Sequence, residues 1–118
     1  MNPINISIVQ PNFRQGGNTF MGYWLPYSSG CVYSYSKESE DILQLNQLVF
    51  RREEIQNVVD KVANDNIVMF SCYMWNWEYN KALAELLKKS HPDVNIVFGG
   101  PQISEFYLET QADTLSFV

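Results

Sequence analysis

The fold of this chain is decided by residues 66–79, which read NIVMFSCYMWNWEY. An apolar run of strand length, residues 67–70, stops at Ser71. A cluster of small and aromatic residues follows, and Asn76 then opens a helical pattern as a good N-cap residue. Continuous apolarity is typical of a strand that is buried on both faces, as in the middle of a parallel sheet. The segment therefore predicts a strand, a crowded turn and a helix N-terminus, the junction at which open α/β sheets bind ligands.

Strands and helices alternate on both sides of this segment. Hydrophobic periodicity after Asn76 predicts that Tyr79, Ala82, Leu83, Leu86 and Leu87 face inward. The predicted elements, in chain order, are a strand at Ile4–Val9, a loop at 13–19, a helix from about Pro26, a polar edge-type strand at 45–50, a helix at 51–63, the strand at 67–70, a helix at 76–90, a strand at 94–98, one or two helical turns at 104–108 and a strand at 114–118.

This alternation predicts one α/β domain, residues 1–118, built as a three-layer sandwich. Parallel strands joined by right-handed helical crossovers give a doubly wound sheet, Rossmann-like or flavodoxin-like. For this length we expect a five-stranded sheet in the order 2-1-3-4-5, in which ligands bind at the carboxyl ends of strands 1, 3 and 4.

Unusual residues follow each of those strands. They are Gln10-Pro11-Asn12 after strand 1, Ser71-Cys72-Tyr73 after strand 3 and Gly99-Gly100-Pro101 after strand 4. Paired glycines at the end of a buried strand indicate either a positive φ or the close approach of another group to the backbone. Trp75 lies just beyond the second set. These residues are therefore expected to meet at one edge of the sheet.

Composition and charge exclude several classes of function. The chain of 118 residues is 46% apolar and 18% charged, which is typical of a packed globule. Its net charge of −5 and eight scattered basic residues argue against nucleic acid as a partner. The apolar runs are far shorter than the roughly 20 residues that cross a bilayer. No signal peptide is visible, so we expect a cytoplasmic location and no membrane partner.

The reactive side chains support no hydrolytic or metal chemistry. Cys31 and Cys72 alone cannot hold zinc or an iron–sulfur cluster, and we expect two separate thiols with Cys72 buried. His91 is the sole histidine and lies at the opposite rim of the sheet, so no Ser–His–Asp triad is possible. Neither phosphate-binding glycine motif is present. We therefore predict no catalytic residue and no metal ligand in this chain.

A ring-rich segment, residues 20–36, precedes the second strand. Most of these rings are expected to pack on the sheet. Within the predicted helix, Ser28, Ser29 and Gly30 form a small-residue face that can lie close to the sheet or to a ligand.

Three segments together resemble the N-terminal cobalamin-binding domain of radical S-adenosylmethionine enzymes. These are residues 70–76 (FSCYMWN), residues 96–101 (IVFGGP) about twenty positions later, and residues 25–30 (LPYSSG), which are similar to that family's first helix. The resemblance covers about residues 4–118. It implies that the corrinoid cofactor is bound at the predicted edge by Gln10, Pro11, Asn12, Ser71, Cys72, Tyr73, Trp75, Asn76, Gly99, Gly100 and Pro101.

The resemblance also implies roles for some of these residues. Ser71, Gly99 and Gly100 would let the macrocycle approach the backbone closely. The dimethylbenzimidazole tail would insert between strands 1 and 3, where Ser71 can form a hydrogen bond with it. Tyr73 and Trp75 would pack against the corrin edges.

The sequence departs from related proteins in two ways. Cobalamin-dependent mutases and methionine synthase carry Asp-x-His-x-x-Gly after strand 1, but residues 10–17 contain no histidine, so the resemblance implies cobalt without a protein imidazole. The cysteine triad that holds a [4Fe–4S] cluster in radical enzymes is also missing. We therefore expect the cluster, S-adenosylmethionine and catalysis to belong to a catalytic domain absent from this chain, acting in cis or in trans.

Two other functions fit the same sequence. The chain could be a degenerate, cofactor-free α/β domain that contacts another protein through residues 20–35. A small flavin- or nucleotide-binding domain is the third possibility.

Overall fold

The computed structural model of the chain describes residues 3–12, 14–15, 22–23, 25–37 and 42–103. Its elements, in chain order, are β1 (Ile4–Val9), β2 (Arg14–Gln15), β3 (Gly22–Tyr23), α1 (Tyr27–Ser36), β4 (Leu43–Val49), α2 (Ile55–Val62), β5 (Ile67–Ser71), α3 (Trp77–Ser90) and β6 (Asn95–Gly99). No helix in these ranges combines the length and apolarity needed to cross a membrane.

A four-stranded sheet in the order β4-β1-β5-β6 forms the centre, and all its neighbouring strands are parallel. The α/β class and the parallel sheet are therefore confirmed, and these strands follow the order 2-1-3-4. The predicted fifth strand at 114–118 and the helical turns at 104–108 lie outside the described residues, so the full order 2-1-3-4-5 stays a prediction. β2, in the predicted loop, pairs with β3, which follows that loop, in an antiparallel ladder that the sequence did not indicate.

One face of the sheet carries α2, α3 and the main hydrophobic core. Side chains alternate along a strand, so Val68 and Phe70 of β5 face this layer together. The buried apolar residues of the two helices are Val58, Val59, Val62, Trp77, Leu83, Ala84 and Leu87. The apolar stripe of α2 is confirmed, but the inward position of Ala82 is wrong. Ala82 is exposed because α3 turns Asn80 and Ala84 toward the sheet instead.

The helix α2 begins at Ile55, four residues later than the predicted start at residue 51. Glu54 has extended backbone, with φ −58° and ψ 133°, so residues 51–54 are outside the helix. The hydroxyl of Tyr79 donates to the Glu53 carbonyl at 2.6 Å and ties this segment to α3. A tertiary contact therefore anchors the segment that precedes the helix.

The other face of the sheet is covered unevenly. The helix α1 packs over β1 and β4, and Ile6 and Ile8 are buried on this side. Farther along the sheet, Met69 of β5 is half-buried and Val97 of β6 is 43% exposed. Among the described residues, β5 is therefore fully buried on the face that carries α2 and α3, and only partly buried on the face that carries α1. A cavity beside β5 and β6 results.

Candidate functional site

The carboxyl ends of β1, β5 and β6 meet at one edge of the sheet. Register places Ser71 beside Gly99, and the Cys72 amide continues the ladder by donating to the Gly99 carbonyl at 2.7 Å. On the other side, the Gln10 amide donates to the Val49 carbonyl at 2.8 Å. The structure therefore brings the three predicted groups of residues together.

The predicted residues at this edge differ in their exposure. The buried residues are Gln10, Pro11, Asn12, Cys72 and Asn76. Those half-buried or exposed are Ser71, Tyr73, Trp75, Gly99, Gly100 and Pro101. His91 is half-buried and follows α3 at the amino-terminal side of β6, away from this edge.

The buried side chain of Gln10 attaches α1 to the end of β1. Its Oε1 atom accepts hydrogen bonds from Ser28 Oγ at 3.2 Å, from the Ser29 amide at 3.3 Å and from Ser29 Oγ. Ser28 and Ser29 of α1 thus lie against the sheet edge, as the sequence allowed. Their partnership with Gln10 was missed, because no local pattern links the two elements.

Tyr73 and Trp75 form a rigid aromatic wall. Their rings stack with centroids 4.6 Å apart and planes 12° apart. The Tyr73 hydroxyl pairs with Ser28 Oγ at 3.1 Å, and Trp75 Nε1 donates to Asn12 Oδ1 at 3.3 Å. The wall borders an outer cavity of about 400 Å³, whose lining residues are Gln10, Asn12, Leu25, Tyr27, Ser28, Tyr73 and Trp75.

Two fully buried asparagines hold the turn after β5. Asn76 Oδ1 accepts from the Tyr73 amide at 2.8 Å, and Asn76 Nδ2 donates to the Ser71 carbonyl at 3.0 Å. Asn80 Nδ2 donates to Asn76 Oδ1 at 3.2 Å, while Asn80 Oδ1 has no hydrogen-bond partner in the described part of the chain. Asn76 does stand at the N-cap position, but its side chain makes no capping bond to the helix and instead braces the preceding turn. The one sequence signal for Asn80 is its i+4 spacing from Asn76 within a buried helix face.

The structure requires glycine at one of the two paired positions, Gly100, but not at the other, Gly99. Gly100 has φ +97°, and a Cβ atom there would lie 2.7 Å from the Cys72 carbonyl oxygen. Among the described residues, no atom lies within 4 Å of the corresponding position at Gly99, so its side-chain direction is open. Packing within the chain therefore explains Gly100, whereas open space lies beside Gly99.

An inner cavity of about 210 Å³ occupies that region between α1 and the strands. Its lining residues are Ile8, Ser28, Ser29, Val32, Met69, Phe70, Ser71, Val97, Gly99 and Gly100. An apolar cavity of about 150 Å³ binds benzene, so the inner cavity has the size for a flat ring system. Because Ser28 lines both spaces, the inner cavity and the outer cavity flank the same residue.

The thiols behave as two separate groups, as predicted. Both cysteines are free, with Cys31 exposed and Cys72 buried. Burial raises the pKa of the Cys72 thiol to about 11, against opposing hydrogen bonds from Asn80 and the Gly99 backbone. A pKa near 11 leaves about one Cys72 side chain in a thousand ionised at pH 8.

We expect an aromatic disulfide reagent to titrate one thiol in the native chain at pH 8 and two in urea. The raised pKa means that the unfolded state releases its Cys72 proton first. The contribution of Cys72 to the free energy of unfolding should therefore be intact below pH 9 and decrease from pH 9 to 11. A Cys72→Ala variant should lack this component of the pH dependence. Rapid modification of two thiols in the native chain would contradict the prediction.

Comparison with known proteins gives distant relatives. No protein-family model matches the chain. It is 28% identical over 85 residues to the cobalamin-dependent radical SAM methyltransferase TokK of Streptomyces tokunonensis. It is 25% identical over 85 residues to the 2-(S-pantetheinyl)-carbapenam-3-carboxylate methyltransferase of Streptantibioticus cattleyicolor. Each alignment covers 70% of this chain and 12% of the relative. The chain is thus distantly similar to a small part of two methyltransferases, one of which is cobalamin-dependent by name.

Proposed function

We propose that this chain is a cobalamin-binding module that holds the cofactor at the carboxyl ends of β1, β5 and β6. The observation that carries the proposal is the inner cavity, into which Gly99 opens and on which Ser71 lies. A ring-sized cavity beside an open sheet edge is what a corrinoid with a nucleotide tail requires. The distant similarity to a cobalamin-dependent methyltransferase supports the same function.

The residues at the edge fit this cofactor in distinct ways. Ser71 offers a hydroxyl to the base of the tail, and Gly99 leaves room for close approach. Tyr73 and Trp75, already stacked, offer a flat apolar surface to the edge of the macrocycle. The remaining residues, Gln10, Pro11, Asn12, Cys72, Asn76, Gly100 and Pro101, frame the site.

When bound, cobalamin supplies cobalt-centred alkyl-transfer chemistry. The chain's own residues would bind and orient the cofactor. In this proposal, the [4Fe–4S] cluster and S-adenosylmethionine belong to a radical catalytic domain acting in cis or in trans. The chain spans 12% of the length of the curated relatives it matches, which leaves room for such a domain in them.

A cofactor-free interaction domain is the second candidate, and one observation favours it. Large side chains of the segment around α1 are exposed, with Tyr27 at 83%, Tyr35 at 79% and Leu25 at 77%. Exposed aromatic residues are enriched where proteins contact one another.

Thermal unfolding with a panel of ligands separates the candidates. Hydroxocobalamin at 100 times its dissociation constant should stabilise the chain by about 2.7 kcal/mol. This should raise the Tm by several degrees for a domain of this size. Flavin mononucleotide should leave the Tm unchanged, because the sequence contains neither of the phosphate-binding glycine motifs. Stabilisation by the flavin alone, or by neither ligand, would overturn the proposal, and the latter outcome would favour the interaction domain.

A further inference from the structure

The lateral edge of β4, on the side away from β1, carries backbone groups that the sheet does not use. The Ile4 amide donates to the Ile42 carbonyl at 2.8 Å, and Ile4 is paired with Leu43 in the register. In a parallel ladder this bond turns the amide and carbonyl of Leu43 away from β1, and the same groups of Leu45, two residues later, share that direction. Among the described residues these groups have no hydrogen-bond partner, because β4 is the outermost strand. The lateral edge therefore offers donors and acceptors to another strand.

The side chains of β4 do not block such pairing. The strand reads LQLNQLV and contains no charge and no proline, the residues with which edge strands commonly prevent association. A bulge in its pairing with β1 lies between Leu45 and Leu48. The amino-terminal half of the lateral edge is therefore regular as well as uncharged.

An open cavity flanks each half of the strand. The first, of about 360 Å³, is lined along β4 by residues 43–45, and the second, of about 200 Å³, by residues 47–49. A strand that is added to a sheet places its side chains alternately on the two faces, and cavities beside the strand can accept them. The lateral edge of β4 thus combines free backbone groups with room for the side chains of a pairing strand.

Charges at the two ends of the strand identify its occupant. Glu38, Glu40 and Asp41 precede β4 in the sequence, whereas Arg51 and Arg52 follow it closely. A second copy that pairs in the antiparallel direction brings the acidic end of each strand beside the basic end of the other. A parallel copy would bring like charges together, and a chain with a net charge of −5 otherwise repels its own copy. The charge pattern is therefore complementary to itself in the antiparallel direction alone.

We propose that two copies of this chain associate by antiparallel pairing of their β4 strands around a two-fold axis. Leu45 lies at the centre of the pairing, because its outward amide and carbonyl can exchange two hydrogen bonds with Leu45 of the second copy. The two four-stranded sheets then form one continuous sheet. The inference goes beyond the proposed function and does not depend on it, since β4 contributes no residue to the inner or the outer cavity.

Sedimentation velocity over a dilution series tests the proposal, with a reductant present because Cys31 is an exposed thiol. We expect a monomer–dimer equilibrium below about 500 μM, since one pair of strands makes a small interface. Leu45→Lys places like charges opposite each other at the two-fold axis, and Arg51→Glu places an acid beside the acidic end of the second copy. Each should raise the dissociation constant of the dimer at least about tenfold. Lys89→Glu makes the same charge change on the exposed end of α3, and this matched control should dimerise as the wild type does.

The outcomes that would overturn the proposal are distinct. A monomer at every concentration would exclude the dimer, and a dimer that Leu45→Lys leaves intact would be formed by another surface. Growth beyond the dimer would also contradict it, because a two-fold pairing closes. A dimer that is weakened by Leu45→Lys but not by Arg51→Glu would contradict the antiparallel direction. Urea unfolding of each variant shows that a lost dimer is not a lost fold.

Discussion

Replacing Gly100 with alanine should destabilise the fold by roughly 3 kcal/mol, whereas the same change at Gly99 should not destabilise it. At Gly100 the backbone has φ +97°, which an L side chain rarely adopts. The new Cβ atom would also lie 2.7 Å from the Cys72 carbonyl oxygen and 2.8 Å from the Cys72 amide nitrogen. That backbone cannot move freely, because the Cys72 amide is bonded to the Gly99 carbonyl at 2.7 Å.

Gly99→Ala is the matched control, one residue away in the same strand end. Its Cβ would meet no atom of the described part of the chain within 4 Å, and removing glycine's flexibility from the unfolded chain stabilises by about 0.4–1 kcal/mol. Equilibrium urea unfolding of the two variants measures the difference. Equal losses in the two would show that the glycines share one role, contrary to the structure.

Gly99→Trp should lower the affinity for hydroxocobalamin by at least about 100-fold and leave the chain folded. An indole at this position has open space ahead of it, and it would occupy the inner cavity that Ser71 borders. The backbone of Gly99 lies outside the left-handed region, so tryptophan is not strained there. Loss of binding would therefore come from the filled cavity rather than from unfolding.

The control for this variant is Gln44→Trp, an exposed position on β4 that lies outside both cavities. It should bind hydroxocobalamin as the wild-type chain does. Urea unfolding of both variants verifies that each is folded. Unchanged affinity in Gly99→Trp would place the cofactor away from the inner cavity.

Much of this fold could be predicted from local pattern. The apolar run at 67–70 and the break at Ser71 located the central strand and its turn. The convergence of residues 10–12, 71–73 and 99–101 followed from topology, since parallel strands place their carboxyl ends at one edge. These features depend on periodicity and chain order, which a sequence displays directly.

The detailed contacts of the site could not be predicted in this way. The bonds from Ser28 and Ser29 to Gln10 join elements that are distant along the chain and depend on how α1 docks. Likewise, the sequence presents Gly99 and Gly100 as equivalent, although only Gly100 has a positive φ. Side-chain packing decides such differences, and no repeating pattern encodes it.

The start of α2 shows the same limit at the level of secondary structure. The sequence predicted that residues 51–54 form the first turn of this helix, but they precede it, and the Tyr79 hydroxyl donates to the Glu53 carbonyl. Lys61 Nζ also lies 2.7 Å from Glu53 Oε1 and fixes the side chain of this segment. Tertiary contacts of this kind are not visible in a sequence, so the exact ends of a helix are the least predictable part of its pattern.

The most direct test of the account is the visible-absorption titration of the wild-type chain with hydroxocobalamin, beside Gly99→Trp. We predict a spectral change that saturates at one corrinoid per chain in the wild type and disappears in the variant. The opposite result would be a folded wild-type chain that shows no saturable binding at tens of micromolar hydroxocobalamin. A dissociation constant in that range corresponds to a binding free energy on the order of −6 kcal/mol, and weaker binding than this would contradict the proposed cobalamin-binding function.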